Sequence, residues 1–214
     1  VKLVLASNNA KKLSELRAML DGLGGELLAQ GALGIAEADE PFGTFIENGL
    51  AKARHAAAAA DAAAIADDSG LCVDALGGLP GVGSAHFAKA AAAALANTPD
   101  REARRRMQDA ANNSLLLQRL AGTEDRRAFF ISTLVAVRHA ADPQPLVAVG
   151  RWPGRILHAP RGEQGFGYDP LMFIPELDRT VAELDAPTKN RHSHRARAMA
   201  AMRTQLREVW GLAP

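Results

Sequence analysis

Two carboxylates, Asp67 and Asp68, stand side by side in Ala66-Asp67-Asp68-Ser69-Gly70, directly after the apolar run Ala62–Ile65. Neighbouring like charges repel, and an unpaired carboxylate is costly to bury. Two arrangements resolve the conflict. The acids can sit in a solvated Asx-type turn with Ser69 and Gly70, or something positive can compensate them. At the end of a strand, where α/β proteins place ligands, a divalent cation is one such partner. Mg²⁺ prefers oxygen ligands and commonly takes one or two carboxylates plus phosphate oxygens.

Other stretches carry chemistry of the same kind. In Ser7-Asn8-Asn9-Ala10-Lys11-Lys12, two lysines fall in the first turn of an expected helix that follows a strand. Cations there oppose the positive end of the helix dipole. Either they are solvated, or an anion docks on the backbone amides and a lysine ammonium. The stretch is not GxxxxGK[ST], so it is not a P-loop. Asn48 and Lys52 are four apart and share a helix face, with Glu40 just before that helix. Taken alone, these residues read more simply as an exposed polar stripe.

The loop Gly162–Pro170 displays Phe166, Gly167, Tyr168 and Asp169. Glycine lets a backbone approach a ligand closely, and an exposed ring offers a stacking face. The plain alternative is a surface loop whose rings are buried elsewhere. Lys189–Arg195 is a solvated basic stretch, an RNA contact, or a source of an arginine fork for a purine O6.

The elements that must position these residues read as a mixture of strands and helices. Lys2–Ala6 predicts a short buried strand, followed by a helix through Leu20 with Leu13, Leu16 and Leu20 on one face and Gly22, Gly24 and Gly25 ending it. Thr44-Phe-Ile-Glu47 predicts a capping box and a helix to about Ala60. Ala63–Ala66 predicts a strand ending at the two aspartates. Thr98-Pro99 predicts a helix start, with Gly122 as the stop and Asn112-Asn113 as a break within it. Ala128–Arg138 alternates and is rich in β-branched and aromatic residues, so it predicts a strand, paired with Leu146–Val149 across an Asp-Pro-Gln-Pro turn. Leu171–Ile174 predicts another strand, and Thr180–Glu183 a second capping box. Ser193–Trp210 predicts the last helix, with Met199, Met202, Leu206 and Val209 inward. The class is α/β, and the hairpin argues against a purely parallel sheet.

Bulk properties bound the function. The chain has 214 residues, 48% hydrophobic and 23% charged, enough for one large domain or two small lobes. A net charge of +1 argues against a dedicated nucleic-acid or membrane-surface protein. The single cysteine, Cys72, excludes an internal disulfide and fits a reducing cytoplasm. No run approaches the ~20 apolar residues of a membrane span, and the first residues turn polar too soon for a signal peptide.

Taken together, SNNAKK, TFIEN with AKARHAA, ADDSGL with VDALGGLPG, FGYDP and SHRA resemble, in order, the motifs of the non-standard purine nucleoside triphosphate pyrophosphatases, the dITP/XTP (inosine triphosphate) pyrophosphatase family. The resemblance implies a single domain of two lobes around a long mixed sheet with helices on both sides. The hairpin-containing lobe would lie near residues 125–180, with the active site in the groove between lobes. It also implies a homodimer, Mg²⁺, and hydrolysis of dITP, ITP or XTP to the monophosphate and pyrophosphate.

On matching positions, Ser7, Asn8, Asn9, Ala10, Lys11 and Lys12 would hold phosphates. Asp68 would be proton acceptor and metal-linked, with Asp67 and Glu40 beside the metal. Lys52 and Ser69 would contact substrate. Phe166, Gly167, Tyr168, Asp169, Lys189, His194 and Arg195 would take the nucleoside end. A keto O6 accepts hydrogen bonds, so donors on His194 and Arg195 would favour hypoxanthine or xanthine over adenine. Three departures stand out: the first loop lacks the family's glycines, His86 replaces the usual arginine, and the Ala/Arg-rich segment 89–113 is longer than usual. The alternatives are a related pyrophosphatase for pyrimidine or modified bases, or a nucleotide- or RNA-binding module using Arg101–Arg106 and Arg191–Arg197. The acidic constellation and low net charge disfavour that module, so no stable nucleic-acid partner is expected.

Overall fold

The structure, a computed structural model, describes residues 2–20, 26–95 and 99–212. The glycines expected to end the first helix and the cap expected at Thr98 lie outside the described residues. Seven strands form one mixed sheet in the order β2-β1-β3-β4-β5-β6-β7. They are β1 (Lys2–Leu5), β2 (Glu26–Ala29), β3 (Ala63–Val73), β4 (Arg127–Val137), β5 (Leu146–Ile156), β6 (Met172–Ile174) and β7 (Arg179–Thr180). β1 runs parallel to β2 and β3, while β6 is antiparallel to β5 and β7. The helices are α1 (Ala10–Leu20), α2 (Phe45–Ala60), α3 (Lys89–Leu95), α4 (Arg101–Arg119), α5 (Ala186–His192) and α6 (His194–Trp210). The expected α/β class with a mixed sheet is the observed one. Among the described residues no helix is long and apolar enough to cross a membrane.

The chain divides into two compact units: Val1–Ser69, Ser132–Arg151 and Asn190–Pro214 in the first, Gly70–Ile131 and Trp152–Lys189 in the second. In the first unit, strand alternation sorts side chains onto two faces. Leu3, Leu5, Ile65, Leu134 and Ala148 join Leu16 and Leu20 of α1 and Met199, Met202 and Leu206 of α6 in one cluster. Val4, Ala64, Ala66, Val135 and Val137 join Ala53, Ala56 and Ala57 of α2 in another. Small residues on α2 permit a close approach: a Cβ on Gly49 would stand 3.0 Å from Val135 Cγ2. The core of the second unit gathers Leu71, Leu116, Phe130, Trp152, Tyr168, Leu171 and Val181.

The alanine run around residue 60 is divided by Asp61, whose left-handed conformation ends α2 before β3 begins. β3 does not stop at the aspartates as expected; it continues through them to Val73. Thr44 caps α2 as expected, but Glu47 accepts from the Thr44 hydroxyl at 2.6 Å. The full reciprocal box forms at Thr180–Glu183, where it opens a single 3₁₀ turn. Asp100 caps α4 through the amides of Glu102 and Ala103. Asn112 and Asn113 do not break that helix. Val209, expected inward on α6, is exposed, whereas Gly211 ends the helix in the left-handed conformation as expected.

Gly150 of β5 is where α6 starts against the sheet. A Cβ there would overlap the His194 carbonyl oxygen and the Ala198 amide nitrogen, both rigid backbone. Gly150→Ala is therefore expected to displace the start of α6 and lower stability by about 3 kcal/mol or more, read as a lower urea midpoint.

Candidate active site

The strand alternation that builds the core also separates the paired acids. Asp67 follows Ile65 onto the face covered by α1 and α6; Asp68 follows Ala66 onto the face covered by α2. Their mutual repulsion is reduced by pointing them apart, and each meets its own cations.

Asp67 is buried and fully engaged. Its Oδ1 accepts from Ser132 Oγ at 2.6 Å. Its Oδ2 accepts from Ser69 Oγ at 3.0 Å and from Arg195 Nε and Nη2 at 3.3 and 3.2 Å. Lys12 Nζ lies 3.1 Å from the same oxygen. Burial alone would raise the Asp67 pKa; Arg195, Lys12 and the Ser132 hydroxyl outweigh it and hold the carboxyl well below the usual range.

Asp68 is different. Its Oδ1 accepts from Lys52 Nζ at 2.9 Å, while its buried Oδ2 has no hydrogen-bond partner among the described residues. Burial raises its pKa to about 6, against the opposing pull of Lys52. Lys52 also donates to Glu40 Oε2 and to the Asp67 carbonyl, both at 3.1 Å. Burial disfavours the charged ammonium, but Asp68 and Glu40 raise its pKa. Glu40 is exposed; burial of its surroundings raises its pKa and the Lys52 charge more than reverses that. Asn48 places this acid: it accepts from the Phe42 amide at 3.0 Å and donates to the Phe42 carbonyl at 3.1 Å, fixing the segment before α2.

The raised pKa of Asp68 has a defined sign. Its folded-state value exceeds its unfolded one, so the stability present below pH 4 is lost as pH rises to about 6. In the metal-free protein the Asp68 carboxyl carbon resonance is expected to titrate near pH 6, and Asp68→Asn to remove that part of the pH slope in urea unfolding.

At the start of α1, Asn9 Oδ1 accepts from the amides of Lys11 and Lys12 at 3.2 and 3.3 Å, and Ser7 Oγ accepts from the Asn9 amide. These amides, expected to be open to an anion, already have internal acceptors. Lys11 and Ala10 are exposed; Asn8 Oδ1 is buried without a partner among the described residues.

Arg195 occupies the first turn of α6 and is fully buried. Besides Asp67 it donates to Ser69 Oγ at 3.1 Å and pairs with Glu15 of α1. Burial disfavours its charge, yet Asp67 and Glu15 raise its pKa. The fork expected to face a purine O6 is engaged by protein acceptors. His194, beside it, is also buried.

In the second unit, Asp169 Oδ2 accepts from the Phe166 amide at 2.9 Å and from Lys189 Nζ at 2.8 Å. The Lys189 ammonium stands 4.5 Å from the centroid of the Phe166 ring, a cation–π arrangement. Tyr168 is buried, with its hydroxyl donating to the Ser84 carbonyl; burial, then the Asp109 charge, raises its pKa. It packs in the core of its unit. His86 is exposed.

Glu15 and Ser132 were not anticipated. Glu15 lies three residues after Lys12 on the same helix face. Ser132 alternates with Leu134 and Ala136 on the strand, a polar residue on a buried face.

Among the described residues no group of three or more His, Cys, Asp or Glu side chains stands close enough to hold a metal ion. The expected set of Glu40, Asp67 and Asp68 therefore does not assemble as one ligand cluster here, because the strand directs Asp67 to the other face. Asp67 has both oxygens occupied. Asp68, with an unmatched oxygen, and Glu40, joined to it through Lys52, fit a hard cation that takes its remaining ligands from phosphate.

A family model described as the Ham1 family matches residues 3–205. A dITP/XTP pyrophosphatase of Methylibium petroleiphilum is 65% identical over 98% of this chain and 99% of its own length. One of Leptothrix cholodnii is 63% identical over 100% of both chains. The solved structure of a HAM1 protein from Coxiella burnetii superposes with a TM-score of 0.83 at 37% identity, covering 98% of this chain and 100% of that one. With a family-model match over nearly its whole length and near end-to-end similarity to these proteins, the chain belongs to the Ham1 family.

Proposed function

We propose that this chain is a hydrolase that converts dITP, ITP and XTP to the nucleoside monophosphate and pyrophosphate, removing deaminated purines from the nucleotide pool. Family membership and the names of its relatives support the reaction. The observation in the site that carries the reading is Asp68: a buried acid with one oxygen on Lys52 and the other unmatched.

A group of this kind suits a general base, since Lys52 orients one oxygen and the other has no protein donor among the described residues. Asp68 takes a proton from the attacking water, whose oxygen bonds to the α-phosphorus as the α–β bridging bond breaks and pyrophosphate leaves. Lys52 and Lys12 offset the charge that develops on the leaving oxygens. Asp68 and Glu40 would hold Mg²⁺, which when bound neutralises phosphate charge and acidifies nearby water. Asp67, both of whose oxygens have protein partners, is proposed to anchor Lys12 and Arg195 beside the metal rather than ligate it.

Residues Ser7–Lys12 and Ser69 are proposed to meet the phosphates. Phe166, Gly167, Asp169, Lys189 and His194 are proposed to take the nucleoside end, with Tyr168 bracing them from the core. Mg²⁺ as the metal, a homodimer and a cytoplasmic setting complete the proposal, supported by the family resemblance.

The test is pyrophosphate release from purified protein across ITP, dITP, XTP, GTP, dTTP and UTP, with and without Mg²⁺. Preferred release from ITP and XTP is expected. Faster turnover of dTTP or UTP would favour the pyrimidine alternative, and binding without release a non-catalytic module. Arg195→Ala separates two roles. As a base reader, Arg195 would change the ITP-to-GTP ratio; as a buried brace, it would lower stability and leave that ratio intact. The observed ion pairs predict the second outcome.

A further inference from the structure

Helix α4 carries Gln108-Asp109 and, one turn later, Asn112-Asn113, so two polar pairs repeat at helical spacing. Each column holds a different loop within the second unit. Asn112 accepts from the Ala88 amide at 2.9 Å and donates to the Ser84 and Ala85 carbonyls, while Gln108 donates to the Ala88 carbonyl. The neighbouring column reaches Gly167. Asp109 Oδ2 accepts from the Gly167 amide at 2.9 Å, and Asn113 Nδ2 donates to the Gly167 carbonyl at 2.9 Å. Both polar groups of one residue are thus gripped by two side chains one helical turn apart.

Gly167 is where such a grip has most effect. It adopts the left-handed conformation (φ +62°), one of several that glycine populates with similar ease, so the two contacts select it from the alternatives. Phe166, its neighbour, lies under the Lys189 ammonium, and its amide is fixed by Asp169. We propose that Asp109 and Asn113 are positioning residues of α4 that set the geometry of the Phe166–Asp169 loop, and through it affinity for the base. The last clause rests on the proposed function; the clamp itself does not.

Two readouts test this. In native protein and in Asp109→Ala, Asn113→Ala and Asp109→Asn, amide exchange is followed at Gly167. In parallel, KM for ITP is compared with inhibition by inorganic tripolyphosphate, which has no base. The alanine variants are expected to exchange about tenfold faster at Gly167 and to raise KM for ITP by about tenfold, the scale of one charge-assisted hydrogen bond. Tripolyphosphate inhibition is expected to stay at its native value. Asp109→Asn keeps an acceptor and should restore most of both. Native exchange and native KM in the alanine variants would overturn the proposal. So would a parallel loss of ITP and tripolyphosphate affinity with a lower Tm, which marks general loosening. If native protein releases no pyrophosphate from ITP, the proposed function falls, while amide exchange still decides the clamp.

Discussion

Asp68→Asn is expected to fold as the native chain does and to release pyrophosphate from ITP about 10³-fold more slowly. The magnitude follows from the usual contribution of a positioned general base. The fold is expected to persist because Lys52 keeps two other acceptors, Glu40 and the Asp67 carbonyl, and an amide oxygen replaces Asp68 Oδ1 at the third. The isostere also removes the ionisation that burial opposes. The measurement is kcat by pyrophosphate release beside a thermal melt. Turnover within a few-fold of native would remove Asp68 from the chemistry.

Asp67→Ala is expected to have the opposite signature. Its first effect is on stability, because Arg195 is buried and would keep its charge without its main partner. Removing one member of a buried ion pair costs about 3–5 kcal/mol. Lys12 loses its partner as well, and Ser132 is left with a buried hydroxyl unmatched. Asp67→Asn keeps an oxygen for Ser132 and Arg195 and is expected to fall between native and Ala in urea unfolding. The native carboxyl pKa is depressed, so its stabilisation is present above pH 4 and is lost as pH falls below that. The Asn variant is expected to lack this acid-side decline. An alanine variant as stable as native would mean that Arg195 finds its charge balance elsewhere.

The contrast between adjacent residues shows what the sequence disclosed and what it withheld. The apolar run made a strand over Ala63–Ala66 legible, with both acids directly after it. Ending the strand at Ala66 hid the consequence that residues 67 and 68 face opposite helices. The inner stripe of α6 was equally readable: stepping back four residues from Met199 reaches Arg195, a buried-face position. Val209 points outward because the last turn meets the core cluster through Trp210 instead; the Val209 carbonyl accepts from Arg138. Asparagine has weak helix propensity, but at Asn112 and Asn113 tertiary anchoring to the Ser84, Ala85 and Gly167 carbonyls overrides it. β2, β7 and α5 are too short for periodicity to mark them.

The balance of charge around the paired acids has a thermodynamic consequence. Glu15, Glu40, Asp67 and Asp68 face Lys12, Lys52 and Arg195, so the protein's own cations are already matched by its own anions. A triphosphate arriving there meets little surplus positive potential to draw it in. Tight association must therefore be linked to uptake of neutralising ions or protons, and by reciprocity nucleotide would sharpen the protein's appetite for divalent cation. Titrations of one at fixed levels of the other would trace that linkage as a pair of mutually shifted isotherms.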